Sequence, residues 1–176
     1  MFKISNRIAL SLCAACLLQA GATYASATET NSNQLNQGKN MQQIRGSFEV
    51  QLQAQPAADA IVSAELGRRT IVKQFHGELQ ASSLGEMLSV HTPVKGSAAY
   101  VALERVSGTL SGRQGSFVLM HTGLMDKGQS SLTVQVVPDS GTDALQGLSG
   151  SMQIEIREGK HFYVFDYQLP SAQSPD

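Results

Sequence analysis

The sequence has no tryptophan and only two cysteines, and both of these, Cys13 and Cys16, fall within the first 27 residues. That stretch carries the marks of a secretory signal. Lys3 and Arg7 give a cationic start, Ile8 to Leu18 an apolar run too short to span a bilayer, and Ala25-Ser26-Ala27 a small-residue cleavage site. Cleavage is expected after Ala27 or Ala25. Gln19 and Gly21 come too early for a retained anchor helix, and Cys13 stands where a lipoprotein signal ending at Cys16 needs an aliphatic residue. The exported chain, periplasmic or secreted, then has no thiol for a disulfide, a zinc thiolate or attack on a carbonyl. Its stability must come from a packed core.

Clustered cations are also missing. Removing Lys3 and Arg7 takes the formal charge from -1 to -3, and no basic block remains to grip phosphates, which argues against a nucleic-acid partner. Beyond the signal no apolar run is long enough to cross a membrane. Residues 28–43 are polar, rich in Asn and Gln, and cannot bury enough surface to offset their own ordering. They are read as a flexible leader, and residues 171–176 as a disordered tail. The folded unit runs over 44–170, enough chain for one domain with a core and too little for two.

What is present in that unit is period-two alternation between glycine-marked turns. Phe48, Val50 and Leu52 share one side of their segment, as do Leu132, Val134 and Val136; Met152, Ile154 and Ile156; and Tyr163, Phe165, Tyr167 and Leu169. Many short strands with almost no helical window indicate an all-β antiparallel barrel or sandwich. Closure into a barrel is favoured because it removes the exposed edges that a disulfide-free exported protein must otherwise protect.

"GSFVLMHTG" poses the chemical question, because the alternation that turns Phe117 and Leu119 inward carries His121 with them. Burial disfavours an imidazolium unless a carboxylate or hydrogen-bond partner is near. Glu104 in "YVALERVSG" is the expected partner, sharing a face with Tyr100 on a strand that turns back into the His121 strand. Both faces of that strand are mixed, so the sequence leaves its orientation open. A buried His–Glu couple is either a proton-transfer pair or a satisfied polar pair that fixes strand register. His76 alternates away from Phe75 and is expected in solvent, as are His91 and His161 beside turns. No His-x-His or helical spacing indicates a metal, and no cofactor motif is present. Asp139-Ser140-Gly141 is turn chemistry after Pro138 rather than a protease motif, and "GLSGS" places Ser151 where a hydrolase elbow needs glycine. Arg113 is either an anion contact at a barrel mouth or a solvated turn residue.

Four stretches, "LGRRTIVKQFHGELQASSLGEML", "VKGSAAYVALERVSGTLSGRQGSFVLMHTG", "LTVQVVPDSGTDALQGLSGSMQIEI" and "GKHFYVFDYQLP", together resemble the bacterial DUF3224 family. The resemblance implies a closed barrel of about eight antiparallel strands, similar to allene oxide cyclase and calycin-like. Positions that match the family's recurrent polar pattern are His76, Glu86, Tyr100, Glu104, Arg113, His121, Ser140 and Thr142. The resemblance brings no established activity. A barrel of that size holds either packed side chains or one small ligand. The expected function is binding of a small, mainly apolar molecule, with Glu104 and His121 as the catalytic pair if the barrel performs an isomerase- or cyclase-type reaction. The alternative is a non-catalytic structural barrel acting through homo-oligomerisation or a protein partner.

Overall fold

The computed structural model describes residues 41–56 and 65–170, so the expected signal, most of the leader and the tail lie outside it. Eight strands form one closed antiparallel barrel in sequence order: β1 Gln42–Gln55, β2 Gly67–Gly77, β3 Leu79–His91, β4 Ala98–Leu110, β5 Arg113–Asp126, β6 Gln129–Val136, β7 Ser149–Arg157 and β8 Lys160–Gln168. β1 pairs with both β2 and β8, which closes the ring and leaves no edge strand. Strand β1 starts at Gln42, inside the segment read as leader. Its first residues pair with Tyr167 and Asp166, and Gln43 Nε2 donates to Asp166 Oδ1 at 2.7 Å, so these glutamines are ordered by β8 and not by hydrophobicity.

Three hairpins turn on a residue-glycine pair with both residues in the left-handed region: Ser111-Gly112, Lys127-Gly128 and Glu158-Gly159. Such turns match the twist of the strands they join, and glycine takes the second position without a steric penalty. Pro138 ends β6 early, and β6 meets β7 only through the pair Gln135–Ser151. The segment 137–148 therefore folds across one end of the barrel. Its short 3-10 turn, Asp143–Leu145, drives Leu145 inward, and Leu148 follows. Both are buried against the core and close that end.

The interior is layered. Beneath the Leu145–Leu148 seal lie Ile44, Leu79, Leu110, Phe165 and Tyr167, followed by Phe75, Phe117, Val106 and Tyr163. Phe117 stacks on Phe165 at 5.8 Å between centroids, and Phe75 meets Tyr163 edge-on. Toward the other end the filling thins. Leu52, Leu132 and Ile156 keep their inward parity yet are exposed, because they extend beyond the packed layers. Among the described residues no helix is long and apolar enough to cross a membrane.

Candidate functional site

The site is built by four neighbouring strands, β2 to β5. On β4, Glu104 faces inward between Ala102 and Val106; on β5, opposite Ala102, His121 does the same; on β2, Lys73 lies between Ile71 and Phe75. All three are buried, and Glu104 has no exposed surface at all. Gly85 on β3 faces Glu104 directly and makes room for it, since a methyl there would strike Leu103 and Glu104.

Glu104 Oε2 is the hub. Lys73 Nζ donates to it at 2.7 Å, and His121 Nε2 lies 3.3 Å away, off the line of a good hydrogen bond. Burial opposes the charge on Glu104, but the His121 contact and the Lys73 ammonium outweigh it and hold the carboxyl below its ordinary range. The ammonium has further support from two aromatic faces, 5.0 Å from the Phe48 centroid and 5.7 Å from that of Phe75. Glu104 Oε1, His121 Nε2 and the Oγ of Ser83, which faces Lys73 across the β2–β3 pair, have no hydrogen-bond partner among the described residues.

Tyr100 lies toward the open end of β4, half-buried, its ring laid over Gly123 so closely that a Cβ there would overlap it. Burial and the charge of Glu104 raise its hydroxyl above the ordinary tyrosine range. Glu104, His121 and Tyr100 thus share the interior; the alternation of β5 pointed His121 there, whereas that of β4 left the side of Glu104 and Tyr100 open. Lys73 escaped the sequence reading, although "TIVKQF" places it between Ile71 and Phe75 on the same argument that singled out His121.

The remaining candidates lie elsewhere. Glu86 is on the outer wall, held by both of its oxygens to Arg68, and His76 is on the outer wall, paired to Glu49 at 2.6 Å. Arg113 is exposed at the β4–β5 turn, on the sealed side of the barrel. Ser140 and Thr142 are in the capping segment, where they serve the backbone: Val118 N donates to Ser140 Oγ and Ser116 N to Thr142 Oγ1, each at 3.0 Å. β6 has already ended at that level of β5, so these hydroxyls replace the strand partner that Pro138 removed. His161, expected in solvent, is half-buried and tilted against Phe48 at 5.1 Å, because β8 has already turned its odd positions inward there.

Two clefts accompany this interior. One, of about 360 Å³, is cut into the outer wall between Arg45, His76, Arg157 and Phe162. The other, about 590 Å³, opens where β1 parts from β8 beyond the Phe48–His161 pair, and its walls include Phe48, Val50 and His161. Phe48 therefore links the second cleft to the Lys73 ammonium.

The family model described as "Protein of unknown function (DUF3224)" matches residues 44–167. A crystal structure at 1.84 Å of a DUF3224 protein with unknown function from Shewanella oneidensis MR-1 is similar at 50% identity and a TM-score of 0.70, covering 75% of this chain and 100% of that one. No curated protein matches.

Proposed function

The chain belongs to the DUF3224 family, and from that premise and the interior geometry we propose that its barrel binds a small, mainly apolar molecule bearing a hydroxyl or similar donor. The observation that carries this reading is the trio of buried polar atoms, Glu104 Oε1, His121 Nε2 and Ser83 Oγ, unmatched among the described residues beside a charged Lys73–Glu104 pair. A buried acceptor without a donor costs about 1–3 kcal/mol, and a ligand hydroxyl placed there would recover it. The cleft beside Phe48 and Val50, whose walls also include Lys160 and His161, supplies an approach of ligand size. In this reading Tyr100 borders the ligand from the open end, and export places the domain in the periplasm or outside the cell.

Glu104 and His121 are also the pair through which an isomerisation or cyclisation would move a proton, with His121 the better base because the pairing with Lys73, which helps hold Glu104 below its ordinary range, weakens it as one. Binding comes first, and it is tested by melting the purified protein across a panel of small alcohols, terpenoids and hydroxylated fatty acids. At least one class should raise Tm, as only a ligand of the folded state does, and Ser83→Ala with Tyr100→Phe should reduce that rise. A Tm unmoved by every compound would remove the ligand reading.

One observation favours a second reading. Neither cleft is lined by Glu104, His121 or Tyr100. In that case the buried ions act as a structural cluster that fixes the register of β2, β4 and β5, since a slip of one residue would send Lys73 or Glu104 to the wrong face.

A further inference from the structure

The outer wall of the barrel is not uniform. On β1 and β7 the outward positions are polar: Glu49, Gln51 and Gln53 on the first, Ser151, Gln153 and Glu155 on the second. In the middle of β2 to β5 the outer wall carries a cluster of apolar side chains, set among polar ones such as Gln74, Glu86, Arg105 and Thr122. Leu84 is 65% exposed, Leu103 58%, Leu124 56% and Val101 54%, with Val72, Leu88 and Met120 also open to solvent.

The strand register makes these one surface. Val72 faces Leu84 across β2–β3, Leu88 faces Val101 across β3–β4, and Leu103 faces Met120 across β4–β5. Four neighbouring strands thus contribute to one largely apolar patch, to which β2 adds Val72 and within which Glu86 and Arg105 are set. Seven such side chains at about half exposure offer on the order of 600 Å², at the limit of what a monomer ordinarily leaves open and close to the ~800 Å² per partner of a stable interface.

We propose that this β2–β5 face is the surface through which two copies of the chain associate, sheet against sheet. Three features select a second copy as the occupant. The closed barrel has no edge strand to donate, so association has to use a face. The area approaches what one side of a two-fold, self-complementary contact buries. The face also carries charge of both signs within the apolar field: the Arg68–Glu86 pair, and Arg105, whose Nη1 reaches only Ser116 Oγ and which faces no carboxylate among the described residues. Charges set among leucines oppose immersion in lipid and suit a partner that offers the same pattern reversed.

Sedimentation equilibrium of the purified protein tests this. Wild type should run at twice the chain mass near 100 μM, well above ~1 μM, the weak end of the Kd range for interfaces of standard size. Leu84→Glu with Leu103→Glu should run at the chain mass with an unchanged far-UV spectrum, whereas Gln51→Glu on the polar wall should leave the dimer intact. Leu84→Gln with Leu103→Gln gives a milder pair if the charged one folds poorly, and should weaken association at least tenfold. A wild type that runs at the chain mass overturns the proposal, and so does one that stays monomeric and floats with lipid vesicles. A dimer that both double variants leave undisturbed overturns it as well.

Discussion

Lys73 and Glu104 meet at 2.7 Å inside the barrel, from strands that are not neighbours, with 6% and 0% of their side chains exposed. An ion pair so buried is held by geometry. Desolvating two charges costs several kcal/mol, and attraction in the low-dielectric interior offsets this only while both partners remain. The pair ties β2 to β4 across β3 and forms the base on which His121 rests.

Removing one partner is therefore predicted to hurt more than removing both. Glu104→Gln or Lys73→Met alone should each destabilise by about 3–5 kcal/mol, while the double variant should recover much of that loss. Urea unfolding of the four proteins of the cycle measures the coupling. Additive losses would mean that the two charges do not depend on each other.

Stability should have an acid limb that belongs to Glu104. Its folded pKa lies below the ordinary carboxylate value of 4.5, so its contribution is complete above 4.5 and is lost as pH falls from there through the lowered folded value. Glu49 and Glu86 are lowered in the same direction by His76 and Arg68, but both are exposed and screened by salt. Melting curves in high salt between pH 6 and pH 2 should therefore keep a fall in wild type that Glu104→Gln lacks.

Tyr163 on β8 locks the β2–β3 turn by reaching across β1 over Gly46. Its hydroxyl accepts from Leu79 N at 3.2 Å and donates to His76 O at 3.1 Å, in space that Gly46 leaves open. Tyr163→Phe should cost about 1–3 kcal/mol, because a buried N–H loses its acceptor. Gly46→Ala should cost as much or more, since its methyl would strike the backbone carbonyl of His76. Gly123→Ala should cost less, because the obstacle there is the half-buried ring of Tyr100, which can swing away. Thermal denaturation ranks the three.

Ser140 and Thr142 are predicted to act on the cap and not on a ligand. Ser140→Ala with Thr142→Val leaves Val118 N and Ser116 N without acceptors, at about 1–2 kcal/mol each. Hydrogen exchange should quicken at those two amides and across 137–148, while any ligand-induced rise in Tm keeps its size.

Alternation made much of this legible. The inward side of β5 followed from Phe117 and Leu119, and His121 came with it. β4 was ambiguous for a reason that the structure makes plain: Val101 and Leu103 are as apolar as the inward residues because they belong to an apolar outer wall. Glu86 was matched to a family pattern without reference to facing, and its even position on a strand whose odd positions turn inward puts it outside; His76, whose alternation with Phe75 already pointed to solvent, lies outside too.

The sequence by itself determined the strands, their turns and the inward parity of His121, because period two and residue-glycine turns are local properties of a pleated chain. Only the tertiary structure decided that Lys73 meets Glu104 across an intervening strand, that Ser140 and Thr142 cap β5, and that β2–β5 share an apolar outer face. Those relationships depend on how the ring closes and in what register, and closure joins residues whose separation along the chain carries no sign of it.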